Sequence, residues 1–183
     1  MINFMDDETL VEECVSGNAK AQRLLFDRFS PRMMGAILRY ISDRERAEDV
    51  LQDGFIKVFN NIHKFENNGS LEGWIRRIMI NTALDQIRKD KKRQRDVEID
   101  SMDYFELKQN SKSEGILEAE SLLELVQSLP DGYRTVFNLL AIEGYSHKEI
   151  AEELNISENT SKSQYSRARS ALQELLNKYK IER

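Results

Sequence analysis

Apolar residues recur at intervals of three and four along most of this chain, the spacing that gathers them on one face of a helix. Residues 6–16 read as a short helix with Leu10, Val11, Cys14 and Val15 inward. Gly17 stops it and Asn18 caps the next, in which Ala21, Leu24, Leu25, Phe26 and Phe29 share a face. Pro31 suits the first turn of a third segment ending near Ile41. Asp43 caps a longer helix reaching about His63, with Ala47, Val50, Leu51, Phe55, Val58, Phe59 and Ile62 as its apolar stripe. An Asn-Asn-Gly run makes residues 64–69 a loop. Ser70 caps a helix in which Leu71, Trp74, Ile75 and Ile78 pack early and Ala83, Leu84 and Ile87 later. From residue 114 a helix holds Ile116, Leu117, Leu122, Leu123, Leu125 and Val126, until Leu129-Pro130-Asp131 breaks it. Residues 133–143 form another, with Val136, Phe137, Leu139, Leu140 and Ile142, and Gly144 ends it.

The pattern is most specific after Gly144. Ser146 followed by Glu149 is a capping box, and Ile150, Ala151 and Leu154 give the helix that follows an apolar stripe. Asn155 can take the left-handed conformation that ends a helix, and Ser157 can cap the next. On that second helix Tyr165, Ala168, Leu172, Leu175, Leu176 and Tyr179 fall on one side. Asn159, Ser163, Ser166, Arg167 and Ser170 fall on the other. Two short helices, a tight turn and an outward face of small polar residues with arginine have the shape of a helix-turn-helix, whose second helix enters the major groove. The competing reading is a helical hairpin with a solvated face. Ser161 lies on the inward stripe, where a helix-turn-helix usually carries Val or Ile.

Composition narrows the class. With 183 residues, two prolines and abundant charge, the expectation is all-α: two small helical domains joined by a flexible linker, the C-terminal one a helix-turn-helix. Residues 96–113 are poor in apolar side chains and read as that linker, leaving domains at 1–95 and 114–183. The net charge of −5 argues against a general nucleic-acid binder, but its distribution is uneven. Residues 88–95 are a basic block and the segment after them is mostly acidic. Lone Cys14 excludes an internal disulfide and a cysteine zinc site and reads as a small core residue. His63 and His147 have no carboxylate or cysteine at ligand spacing, so no metal and no cofactor are expected. The acidic N-terminus is unlike a signal, and no apolar run approaches membrane-spanning length. A cytoplasmic protein without membrane insertion is expected. No nucleophile–base pair or phosphate loop appears, which points away from an enzyme.

Two further faces carry candidate chemistry. Glu45, Glu48, Asp49, Gln52 and Asp53 lie opposite the apolar stripe of their helix, crowded together with no basic residue at i+4. The pattern fits a solvated face and a docking surface for a basic partner equally well. On the following helix Trp74, Arg77, Asn81, Asp85, Arg88 and Lys92 stack on one side. An aromatic, an amide and several cations in a row suit single-stranded or distorted DNA, which calls for stacking and phosphate neutralisation. An ordinary helix with a basic tail fits as well. Asp85 would repel phosphate unless paired with Arg88 or Lys89, and reads as an orienting residue.

Taken together these pieces resemble the extracytoplasmic-function (ECF) sigma factors, the small alternative initiation factors of bacterial RNA polymerase. The resemblance rests on Ala47-Glu48-Asp49-Val50-Leu51-Gln52-Asp53-Gly54-Phe55, on Trp74-Ile75-Arg76-Arg77-Ile78 with Asn81 and Asp85-Gln86-Ile87-Arg88, and on Leu129-Pro130. Gly144-Tyr145-Ser146 and Ser166-Arg167-Ala168-Arg169 complete it. It implies a factor that directs the core enzyme to promoters, reading duplex DNA at the −35 element and opened DNA at the −10 element. The implied core-polymerase contacts, on the β′ coiled coil, are Glu48, Asp49, Gln52 and Asp53. The implied −10 surface is Phe65, Asn67, Asn68, Ser70, Trp74, Arg77, Asn81 and Arg88, where a flipped base is captured. Lys162, Ser163, Gln164 and Arg167 fall at the −35 positions, on a domain that rests on the β flap. An anti-sigma factor is a further implied partner. Departures from the family pattern are Ser161, Asn155 for the usual Gly, and Gly54 where Glu or Ala is common. A free-standing DNA-binding regulator would need the helix-turn-helix but neither of the other two faces, and such regulators usually dimerise.

Overall fold

The computed structural model describes residues 5–97 and 119–181. The chain divides into two compact units, Met1–Ile99 and Asp100–Arg183, and every regular element among the described residues is helical. Most of the segment expected as a linker, and residues 114–118 of the helix expected after it, lie outside the described residues.

In the first unit α1 (Asp7–Val15), α2 (Ala19–Leu38), α3 (Arg44–Asn61) and α4 (Leu71–Val97) pack around one core. The caps expected at Asn18 and Asp43 are in place, and Asp6, expected as the first residue of a helix, caps that helix instead. Asp6 accepts from the Thr9 amide at 2.9 Å, Asn18 from Lys20, and Asp43 from Arg46, each filling an orphan amide of a first turn. Leu10, Leu25, Met33, Ile37, Tyr40, Leu71, Ile75, Met79, Ile80 and Leu84 are the large side chains with almost no exposure. Cys14 is buried among them, and burial, reinforced by Glu13, pushes its thiol above the ordinary value.

Pro31 does not open a new segment. Helix α2 runs straight through it, because Phe29, Met33, Ala36 and Ile37 continue the same buried stripe. Burying large apolar side chains, worth about 1.5–3 kcal/mol each, outweighs the ~3 kcal/mol that an interior proline costs. Helix α3 ends at Asn61, and a 3₁₀ turn, Ile62–Lys64, leads into the loop. Helix α4 carries through the basic block to Val97, two residues into the expected linker. Its core face includes Met79, Ile80 and Thr82, while Ile78 and Ile87 are only half-buried.

In the second unit α5 (Ala119–Gln127), α6 (Asp131–Phe137), α7 (His147–Leu154) and α8 (Glu158–Ile181) contribute, and a π-helical stretch, Asn138–Ile142, extends α6. Leu122 and Ile142, both expected inside, are exposed. Arg134, only 8% exposed, ties the join between α5 and α6. It donates to the Gln127 carbonyl at 2.7 Å and to Asp131 at 2.6 Å. Burial pulls the Arg134 guanidinium below its ordinary pKa, and Asp131 opposes that shift.

Candidate nucleic-acid and partner interfaces

Helix α3 presents Glu48, Asp49, Gln52 and Asp53 to solvent, as a buried stripe of Ala47, Val50, Leu51, Phe55 and Val58 on its other side requires. One expectation fails here. Lys57 stands four residues after Asp53, and Glu48 is paired with Arg44 at 3.2 Å, one turn earlier, so basic residues do exist at helical spacing on both sides of the patch. Arg46 pairs with Asp90, and Lys57 with Asp85 at 3.3 Å. Asp49 and Asp53 make no ion pair among the described residues. They flank a shallow hollow of about 320 Å³ lined by Arg46, Asp49, Val50, Gln52, Asp53, Ile56 and, from α4, Gln86. Ile56 is 58% exposed at its edge. The periodicity had no place for Ile56, and the contribution of Gln86 depends on how α3 and α4 pack.

The second surface begins at the loop of residues 65–70. Asn67 (φ 55°) and Gly69 (φ 153°) adopt backbone conformations that Asn and Gly tolerate. Phe65 is half-buried, its ring centroid 5.6 Å from that of Trp74 and tilted by 54°. This aromatic pair anchors the loop to the start of α4. Asn67, Asn68 and Ser70 are exposed. The Asn68 amide donates to Glu66 at 3.2 Å, and the Ser70 hydroxyl accepts from the Gly73 amide at 3.3 Å. Along α4, Arg77 and Arg88 are exposed and Trp74 and Asn81 half-buried. Asp85 pairs with Arg88 at 3.3 Å as well as with Lys57, the orienting arrangement expected of it. The Asn81 side-chain oxygen is buried and finds no donor among the described residues. Nothing is described of the Lys92 side chain.

The helix-turn-helix is α7, the turn and α8. Ser146 and Glu149 form both halves of the capping box. Asn155 sits at φ 52°, ψ 50°, and Ser157 accepts from the Thr160 amide at 3.0 Å. Ser161 is fully buried at the crossing of the two helices, its hydroxyl 2.9 Å from His147 Nδ1. His147 therefore has a partner that sequence spacing did not reveal. Its ring also meets Tyr165 edge-on at 6.1 Å. The four residues expected at the −35 positions all lie on α8 but differ in exposure and in their ties. Lys162 pairs with Glu158 at 3.6 Å, and the Ser163 hydroxyl donates to the Thr160 carbonyl. Gln164 is half-buried and lies over Gly132 of α6. Arg167 donates to the Tyr133 hydroxyl at 3.4 Å.

Comparison with known proteins places this geometry. Residues 25–93 match the family described as sigma-70 region 2, and residues 119–172 that of sigma-70 region 4. The RNA polymerase sigma-H factor of Pseudomonas aeruginosa is 30% identical over 186 residues, spanning 96% of each chain. The ECF RNA polymerase sigma-E factor of Escherichia coli is 29% identical, spanning 94% of this chain and 95% of its own. Among solved structures, the sigma factor RpoE of Bartonella quintana, in complex with the anti-sigma factor NepR, superposes with a TM-score of 0.54 at 25% identity. It covers 85% of this chain and 96% of that one. CnrH, in complex with the cytosolic domain of CnrY, shares the fold with a TM-score of 0.52. An all-helical chain carrying these two regions in this order is a transcription initiation factor. It belongs to the ECF group of RNA polymerase sigma factors, which direct the core enzyme to promoters and recognise −35 duplex and opened −10 DNA.

Proposed function

We propose that initiation by this factor is divided among three surfaces, two on a first domain of residues 1–95 and one on a second of residues 114–183. Glu48, Asp49, Gln52 and Asp53 hold the β′ coiled coil of core polymerase. The loop and helix face carrying Phe65, Asn67, Asn68, Ser70, Trp74, Arg77, Asn81 and Arg88 hold the opened −10 strand. Lys162, Ser163, Gln164 and Arg167 read the −35 duplex, with the β flap behind that domain. The protein catalyses no reaction of its own and works in the cytoplasm, where an anti-sigma factor masks it, as NepR binds the Bartonella quintana factor.

The observation that supports this reading most is the pair of carboxylates, Asp49 and Asp53, that make no ion pair among the described residues, beside exposed Ile56. Every other charge close by on α3 that could cancel them is already engaged, Arg44 with Glu48, Arg46 with Asp90 and Lys57 with Asp85. A fixed negative rim round an apolar spot fits a basic helix with an apolar side chain at its centre. For the −10 surface, the buried oxygen of Asn81 finds no donor among the described residues, and an unmade buried hydrogen bond costs about 1–3 kcal/mol. Turning that amide outward to a base edge recovers the bond.

Site-specific photo-crosslinking in an open complex tests the assignment. A photoreactive side chain at Asp53 is expected to capture β′, one at Asn68 the non-template −10 strand, and one at Gln164 the −35 duplex. Capture of −35 DNA from position 68, or of DNA from position 53, would overturn it.

A further inference from the structure

The −35 surface proposed above leans on an element outside the helix-turn-helix. Arg167 is exposed, and the partner the structure gives its guanidinium is the hydroxyl of Tyr133, 34 residues earlier on α6. Gln164, one helical turn before Arg167, lies over the neighbouring residue, Gly132. A Cβ added there would come within 3.3 Å of the Gln164 Nε2 and 3.6 Å of its Oε1. Helices α6 and α8 are among the most extensively packed pairs in the chain. Their adjacency is held independently by Tyr165 stacked on Phe137 at 6.2 Å. The backbone of Gly132 and the hydroxyl of Tyr133 are thus set against Gln164 and Arg167, two of the four side chains expected to reach bases.

We propose that Gly132 and Tyr133 are positioning residues for −35 readout. They hold Gln164 and Arg167 in the rotamers in which these meet the duplex. A free arginine or glutamine has several rotatable bonds, and ordering one on binding costs entropy. A side chain already leaning on α6 gives up less. A guanidinium held by one nitrogen keeps its other edge for a guanine or a phosphate. Gly132 acts by lacking a side chain: an added Cβ would displace the Gln164 amide by a few tenths of an ångström. Tyr133 acts through one oxygen. The inference rests on the assignment of Gln164 and Arg167 to the −35 duplex, and the test separates the two.

The full chain, assembled with core polymerase, first selects its preferred upstream duplex from a randomised pool. That duplex is then titrated by fluorescence anisotropy with Tyr133→Phe, Gly132→Ala, Arg167→Ala and Gln164→Ala, and with the doubles Tyr133→Phe/Arg167→Ala and Gly132→Ala/Gln164→Ala. Tyr133→Phe is expected to weaken binding about three- to tenfold, the worth of one hydrogen bond. It should also flatten preference at the base pair that Arg167→Ala flattens, with an unchanged helical CD spectrum. In the Arg167→Ala background it should add nothing, and Gly132→Ala should add nothing to Gln164→Ala. Silence of Tyr133→Phe and Gly132→Ala, or effects that persist in full in the double variants, would overturn the positioning role alone. Indifference of the duplex to both Arg167→Ala and Gln164→Ala would overturn the −35 assignment, and the positioning role with it.

Discussion

A serine with no exposure at a helix crossing needs a hydrogen-bond partner, and Ser161 finds one in His147 Nδ1. Ser161 and His147 replace an apolar contact with a hydrogen bond between the start of α7 and the first turn of α8. That bond fixes the distance and rotation between the helices, so the recognition helix is held by geometry as well as by burial. Ser161→Ala should leave the imidazole nitrogen unsatisfied and destabilise the crossing by about 1 kcal/mol. Hydrogen exchange of the full chain should show roughly fivefold faster opening of amides in α7 and early α8, with α1 to α4 unchanged. Unaltered protection would mean that water replaces the hydroxyl at no cost. The inward position of Ser161 was readable from helical angle. Its partner was not, since a bond across 14 residues depends on how two helices cross. Arg134 was hidden in the same way. A charged residue in an apolar run reads as a surface position until a carbonyl and a carboxylate are found around it.

At the scale of elements, caps and breaks were legible because they are local. The capping box, the left-handed Asn155 and the Asn18 and Asp43 caps depend on residues within four positions of one another. Pro31 misled because a local penalty was outweighed by burial along the whole of α2. The acidic face of α3 was legible as a face, but which of its charges are free was not. That depends on Arg44, on Arg46 reaching Asp90 and on Lys57 reaching Asp85 across to α4. Gly54 has a similar explanation. It is buried on α3, and a Cβ there would run into the Met79 sulfur, so the glycine is a seat for a fully buried side chain of α4. Gly54→Ala should lower stability by about 1 kcal/mol, overpacking of about 1–3 kcal/mol being partly offset by ~1 kcal/mol of helix propensity. In a Met79→Ala background the same change should instead stabilise by about 1 kcal/mol. Urea unfolding followed by the fluorescence of Trp74, the chain's single tryptophan, reports this unit, and a coupling near zero would refute the seat. Asp49→Lys with Asp53→Lys, both exposed, should leave that unfolding curve in place. The double change should still weaken assembly with core polymerase roughly tenfold or more at moderate salt. Full assembly of a folded double variant would mean that the α3 face is not the docking surface.

For the whole molecule, promoter recognition is a division of labour between two kinds of chemistry. Duplex readout needs side chains that reach base edges in an intact groove. Strand capture needs groups that replace the stacking and pairing a flipped base has lost. The assignment proposed above gives the two compact units, Met1–Ile99 and Asp100–Arg183, one kind each: half-buried Trp74 and Asn81 with the 65–70 loop on the first, Arg167 and Gln164 on the second. Arg167→Ala should therefore weaken binding to upstream duplex, by about 1–3 kcal/mol if the arginine makes a bidentate base contact. Transcription from a template already opened around the −10 region should be affected far less. Asn81→Ala should do the reverse, keeping upstream duplex binding and losing open complex, because removing the amide leaves nothing in its place to meet an extruded base. Permanganate reactivity of thymines near the start site, measured beside a gel shift of the upstream duplex, reads the two steps separately. Equal impairment of both readouts by both substitutions would show that the two surfaces act as one, and the division would have to be given up.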